Sequence, residues 1–413
     1  RERDTVSDRS YDLVLWGATG FTGRLVAAHI RDHAPADLRW ALGGRRRDAL
    51  DGVASDLGLP DLPVVVADAH DRDAMRALAA DTRVVCTTVG PYAVHGTDLV
   101  AACAEEGTDY CDLTGELQWM RRMIDAHQAD AEASGARILH ACGFDSIPFD
   151  LGVVFTQQVM QDRHGAPAAV VHGRLKAARG TASGGTVASM VNILGEAVTD
   201  SDTRTLLRDP YGLNPVGQRQ GPDGLERMLP QRDDDFGAWS GPFPMSPVNT
   251  RVVRRTHALL GHPWGTDFRY DEAMLTGSGP VGALTAAGIG VGMSVGGVVG
   301  GLLSAAAPTR KLLERVLPDP GTGPSPDAQE KGFFDVRFVA EDPASGTTLR
   351  TRVLGDRDPG YGATSRMLGE TALALAAGEA TVGGGHWTPG AALGDSLLRR
   401  LPAAAGVTFT VLD

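Results

Sequence analysis

Six short apolar runs alternate with stretches of helical spacing over the first third of the chain. The first run, at 11–16, ends on Gly17, and apolar residues at intervals of three and four follow from 21 to 30, reading as strand, tight turn and helix. Further strands are expected at 38–42, 63–67, 82–88, 108–113 and 137–141, with helices around 46–57, 71–80, 97–106 and 116–134. Strands separated by helices need crossover connections, so the pattern predicts a doubly wound parallel sheet. Beyond Pro148 the alternation fades. Runs at 170–177, 248–257, 333–340 and 347–354 read as strands of a more antiparallel kind, and 202–246, rich in Pro, Gly, Asp and Arg, as long surface loops or a lid. Helices at about 361–377 and 389–401 close the chain, the last expected to pack back on the first domain. The expected architecture is α/β: a doubly wound parallel-sheet domain at 1–148, a second α+β domain with a mostly antiparallel sheet at 149–355, and C-terminal helices at 356–413.

The turn after the first strand reads Gly17-Ala18-Thr19-Gly20-Phe21-Thr22-Gly23, with glycines at i, i+3 and i+6. The first permits the tight turn, the second lets backbone approach a pyrophosphate, and the third lets strand and helix pack closely. The helix start then offers free N–H groups and partial positive charge to phosphates, with Thr19 and Thr22 as further donors. Placed between a strand and a helix within repeated strand–helix units, this loop is a Rossmann dinucleotide site. Where an NAD enzyme carries a carboxylate, at the end of the second strand, the chain has Gly43-Gly44-Arg45-Arg46-Arg47, and no acid before Asp48. A guanidinium there suits a 2′-phosphate, which favours NADP(H); Arg45 is the stronger candidate and Arg46 the next. Asp68, after the third strand, is placed to meet the adenine or to cap the following helix.

The nicotinamide end should lie over the later strand ends. Val89, Gly90 and Pro91 form a fixed turn there, and Tyr92 is a candidate proton donor or, equally, a packing residue of that turn. The fifth and sixth strands end in Asp112-Leu113-Thr114-Gly115-Glu116 and Cys142-Gly143-Phe144-Asp145-Ser146. Asp145 and Ser146 could orient substrate or cap the helix near Pro148, with Phe144 beside the cofactor. His140 reads as a core residue.

Composition narrows the classes. Hydrophobic residues make up 42% of 413, enough for a large core, and 51 acidic against 39 basic residues argue against nucleic acid as partner. Only Lys176, Lys311 and Lys331 are lysines, which removes most Schiff-base chemistry. Cys86, Cys103, Cys111 and Cys142 lack metal-ligand spacing, so no metal is expected, and a reduced cytoplasmic protein fits them; residues 1–10 show no secretory signal. From 273 to 309 no residue is charged, and Gly288, Gly292, Gly296 and Gly300 recur every fourth position. The segment reads as a buried or subunit-contact helical pair, which would make the chain a homo-oligomer. Peripheral membrane contact and the wall of a long-chain substrate tunnel are the other readings.

G-A-T-G-F-T-G at 17–23, V-G-P-Y at 89–92, Y-C-D-L-T-G-E at 110–116 and C-G-F-D-S-I-P-F-D-L-G at 142–152 continue as R-G-T-A-S-G-G-T at 179–186, D-P-G-Y at 358–361 and W-T-P at 387–389. In this order they resemble the saccharopine dehydrogenase-like oxidoreductases, most closely the actinobacterial branch described as trans-acting enoyl reductases. The resemblance implies a Rossmann domain joined to an α+β domain, NADP(H) as cofactor, and reduction of a C=C bond in an apolar acyl or polyketide thioester, free or held on a carrier protein. It also makes 179–186 a candidate wall of the substrate site, while Gly385-His386-Trp387 departs from the more aliphatic pair it leads one to expect. Two rival readings stand beside it: an NADPH-dependent imine or carbonyl reductase of secondary metabolism, and a non-catalytic NADPH-binding or membrane-scaffold protein.

Overall fold

The Leu-Val-Leu-Trp run of β1 (Tyr11–Trp16) is almost wholly buried, as the apolar centre of a sheet covered on both faces must be. A computed structural model describes residues 9–180, 193, 195–305 and 323–412, with backbone alone at 295–305. In it β1 pairs in parallel with both β2 (Trp40–Gly44) and, on its other side, β4 (Thr82–Thr87). Outside β2 lies β3 (Val64–Val66), and outside β4 lie β5 (Asp109–Cys111) and β6 (Arg137–Leu139), all parallel. The crossovers are α1 (Phe21–His33), α2 (Arg47–Asp56), α3 (Arg72–Ala80), α4 (Tyr92–His95), α5 (Thr97–Glu106) and α6 (Leu117–Ser134). Helix α7 (Ile147–His164) then leaves the sheet.

A second sheet is built from β7 (Val170–Arg179), β8 (Gln231–Asp233), β9 (Ala238–Gly241), β10 (Arg269–Gly277), β11 (Phe333–Asp342) and β12 (Thr347–Gly355). The last two strands, β13 (Gly385–Trp387) and β14 (Val407–Val411), go to different sheets. β13 adds in parallel to β6, and β14 antiparallel to β12. Among the described residues each sheet thus has seven strands, the first wholly parallel and the second antiparallel except for the β7–β10 pair. The six strands expected for the first sheet are therefore joined by one from near the end of the chain, too short to stand out as an apolar run.

The second half of the chain supplies α8 (Ser201–Arg208), α9 (Ser246–Leu259), α10 (Gly279–Ala305), α11 (Pro326–Glu330), α12 (Thr364–Ala376) and α13 (Pro389–Arg400). The strand expected at 248–257 is instead the buried helix α9. With Pro247 in its first turn, it packs Val248, Val252 and Val253 inward while keeping three arginines inside. Arg251 donates to the carbonyls of Asp209 and Leu207, Arg254 pairs with Asp223 at 2.7 Å, and Arg255 donates to the carbonyl of His386. A polar residue reads as outward-facing in sequence, and these do not face out. The 202–246 segment likewise contains most of α8 together with β8 and β9.

Helix α10 lies across β9 and β10, burying Ala286 and leaving Val281, Leu284 and Val291 largely exposed. Among the described residues no helix is long and apolar enough to cross a membrane.

Asp150, fully buried in α7, ties three helices. Its carboxyl accepts the Thr256 hydroxyl from α9 and the Gly390 N–H at the start of α13, at 2.5 and 2.7 Å. A Cβ at Gly390 would fall 2.7 Å from that carboxyl, so the contact needs glycine. Burial pushes the Asp150 carboxyl up to about 7. The folded state therefore holds this proton where the unfolded chain has lost it, and its contribution to stability falls as pH rises from about 4 to about 7. Asp150→Asn keeps an acceptor but cannot ionise, so its unfolding free energy from urea titrations should gain on wild type by about 2–3 kcal/mol at pH 8 relative to pH 5. A pH-independent difference would show that Asp150 does not titrate in this range.

Candidate active site at the carboxyl edge of the parallel sheet

The glycine loop has the shape expected of a pyrophosphate cradle. Gly17 sits at φ +88°, and a Cβ there would lie 2.5 Å from the Val89 side chain. At Gly23 a Cβ would meet the Gly17 carbonyl at 2.1 Å, so the third glycine is what seats α1 against β1. Gly20 caps α1 without any side-chain hydrogen bond, leaving the first N–H groups of the helix to a ligand. Thr19 and Thr22 flank this opening, both half-buried. Phe21 turns away and packs edge-on against Tyr361, with ring centroids 4.8 Å apart.

Arg45 and Arg46 are exposed directly after β2, and Arg46 is the cap residue of α2. Asp68 accepts the His70 N–H at 3.0 Å, while Asp71 caps α3, so Asp68 closes a turn and leaves the helix to its neighbour.

The strand ends at the other side of the crevice are organised by two buried carboxylates of the loop after β5. Asp112 accepts the Tyr110 hydroxyl at 3.0 Å, a ring N–H of His140 at 2.7 Å, and the N–H groups of Thr114 and Ala141 at 3.0 and 3.1 Å. It thereby holds Ala141 in the left-handed region, at φ +61°, where the chain leaves β6. Glu116 reaches the other way and accepts the N–H groups of Tyr92 and Ala93 at 2.7 and 2.9 Å. Val89 is fixed by the Thr87 hydroxyl, and the Gly90–Pro91 peptide is cis.

Tyr92 is 3% exposed; its hydroxyl donates to the Thr87 carbonyl and accepts from the Leu113 N–H, at 3.2 and 3.3 Å. Burial and the nearby Asp112 push its ionisation well up. The phenol thus joins the loops after β4 and β5 from behind the crevice. Ser146 is also buried, 3.3 Å from the Asn249 amide oxygen, and Asn249 in turn donates to Glu272. Phe144 packs its ring on Phe334 at 4.8 Å, while its N–H goes to the Thr364 hydroxyl. Asp145 differs from all of these. It makes no hydrogen bond among the described residues, and burial alone pushes its carboxyl up to about 6.

Two participants, Tyr361 and Thr364, carried no site role in the sequence reading, and Glu116 was expected at the crevice but without its partners. Glu116 lies 23 positions from Ala93, and nothing in the spacing pairs them. Tyr361 comes from the D-P-G-Y turn, which Asp358 closes by accepting the N–H groups of Gly360 and Gly362, and Thr364 from the start of α12 just after it; they meet the glycine loop and the 142–146 loop respectively. Of the 179–186 segment, 181–186 lie outside the described residues. A cavity of about 170 Å³ is lined only by residues from 170 to 273, including the ion-paired Arg174, Asp271 and Arg254; it is charged and contains no residue of the parallel sheet.

Residues 13–139 match the family described as the saccharopine dehydrogenase NADP binding domain. A Mycobacterium tuberculosis protein provisionally named a trans-acting enoyl reductase is 42% identical over 412 residues, covering 97% of each chain. The chain belongs to the saccharopine dehydrogenase-like family, in its trans-acting enoyl reductase branch. Trans-acting enoyl reductases of Mycobacterium bovis and Mycobacterium ulcerans are 40% and 38% identical, each covering 98% and 96% of both chains respectively. Among solved structures, apo saccharopine dehydrogenase (L-Glu forming) of Saccharomyces cerevisiae shares the fold, at TM-score 0.53 and 13% identity, covering 97% of this chain and 99% of that one. This branch member is an NADP-dependent oxidoreductase, and the cradle at Gly17 and Gly23 together with the free Arg45 fits NADP(H). Glu116→Ala should leave two N–H donors unpaired, costing about 1–3 kcal/mol in unfolding titrations and weakening NADPH roughly tenfold by fluorescence. Unchanged stability and affinity would show that the V-G-P-Y turn does not depend on it.

Proposed function

We propose that this protein reduces the C=C bond of an α,β-unsaturated acyl thioester of lipid or polyketide type, with Asp145 as the proton donor. The full-length relationship to the mycobacterial trans-acting enoyl reductases carries the reading. When bound, NADPH supplies hydride, which goes to the β-carbon; the α-carbon takes a proton, and NADP⁺ remains. The chain's own residues supply the rest. The 17–23 loop and the start of α1 bind the pyrophosphate, and Arg45 meets the 2′-phosphate. The turns after β4, β5 and β6, held by Glu116 and Asp112, form a wall beside the reacting end that does not reorganise as charge develops.

Asp145 fits the acid role because it lies in the turn after β6 and, with no hydrogen-bond or ion-pair partner among the described residues to stabilise its charge, keeps its proton up to about pH 6. Tyr92 and Ser146, whose hydroxyls are taken up inside the wall, act as positioning residues.

Stopped-flow loss of NADPH absorbance with enoyl thioesters of increasing chain length should show turnover, and its absence at every length would refute the proposal. The rate should fall as pH rises through about 6, as the Asp145 acid is lost, and Asp145→Asn should lower kcat roughly 10²- to 10⁴-fold and remove that limb. Arg45→Asp should raise the Kd for NADPH at least tenfold while changing that for NADH little; equal effects would remove Arg45 from cofactor selection.

A further inference from the structure

Two imidazoles meet at the carboxyl edge of the parallel sheet. His70, in the turn after β3, and His95, at the end of α4, are 3.1 Å apart between Nε2 and Nδ1, with ring centroids at 5.1 Å. In the sheet β1 and β2 separate β3 from β4. The contact therefore spans the two strands whose ends carry the glycine loop and Arg45. His70 is exposed and His95 half-buried, and Arg45 makes no hydrogen bond or ion pair among the described residues. We propose that Arg45 and the His70–His95 pair together receive the 2′-phosphate of NADPH, and that the phosphate draws a proton from solvent onto the imidazole pair as it binds.

Two imidazoles in hydrogen-bond contact share one proton between them, and a second makes like charges touch. Burial, His70 and Arg45 all lower the affinity of His95 for a proton, and only Asp68 opposes them. Of the neighbouring charged groups, Arg72 of α3 pairs with Asp98 of α5 at 2.8 Å and Asp71 caps α3, while Arg46, next to Arg45, is exposed. A phosphate dianion placed among Arg45, His70 and His95 would reverse the balance, and NADH, lacking it, would not. The histidine pair would then add to NADPH selection beyond Arg45 and couple it to pH.

The proposal rests on NADPH being the ligand of this crevice, so its test measures binding. Calorimetry of the full chain with NADPH and with NADH, at pH 7.5 in buffers of different ionisation enthalpy, counts protons taken up. At this pH a phosphate monoester, with a second ionisation near 6, is already mostly dianionic. Wild type should take up roughly half a proton with NADPH and none with NADH. The double variant His70→Gln and His95→Gln should lose the uptake and bind NADPH roughly five- to tenfold more weakly, with NADH affinity and circular dichroism unchanged as the sign that it folds. Equal uptake for the two cofactors, no uptake in wild type, or uptake that survives in the double variant overturns the proposal while leaving the cofactor assignment standing. Failure of NADPH to bind at all would overturn both.

Discussion

Two carboxylates buried within five residues of each other hold the crevice together. Asp112 and Glu116 are both 0% exposed, a costly place for charge unless every acceptor site is used. They are affordable because the backbone needs them. Asp112 collects four donors from the ends of β5 and β6, and Glu116 collects two from the start of α4, so one short loop fixes the turns after three adjacent strands. The left-handed Ala141 is a local strain that persists because Asp112 holds it. Substituting either carboxylate would leave buried donors unpaired as well as losing the bond itself.

The remaining support comes from the far end of the chain. Helix α12 packs along α1, where the buried His29 and Glu370 side chains meet at 2.7 Å. Thr364 at its start takes the Phe144 N–H, and Tyr361 just before it buttresses Phe21. β13 extends the parallel sheet past β6 and carries His386, whose carbonyl receives Arg255 from α9. The cofactor loops are thus braced from both sides by segments more than 200 residues away in sequence, and the cofactor domain takes part of its framework from the chain's last sixty residues.

Legibility followed the range of the interactions. The glycine loop, the arginine after β2 and the alternation of strands and helices rest on local rules of turn, periodicity and charge, and these the sequence expressed directly. Helix α9 was misread because its arginines are buried by partners at 207, 209, 223 and 386, which no local pattern reveals. β13, three residues long, exists because β6 offers an edge. At the site, the D-L-T-G-E and C-G-F-D-S segments could be placed at the right strand ends. Which hydroxyls are consumed inside the wall, as in Tyr92 and Ser146, and which carboxyl has no partner among the described residues, as in Asp145, is decided by packing across loops.

The position to which hydride goes tests the account most directly. With NADPH deuterated on the transferred face of its nicotinamide and an enoyl thioester as substrate, mass spectrometry and NMR of the product should locate a single deuterium on the β-carbon. A proton from solvent should occupy the α-carbon. Deuterium on a former carbonyl or imine carbon, or none in any product, would contradict reduction of an enoyl double bond at this crevice.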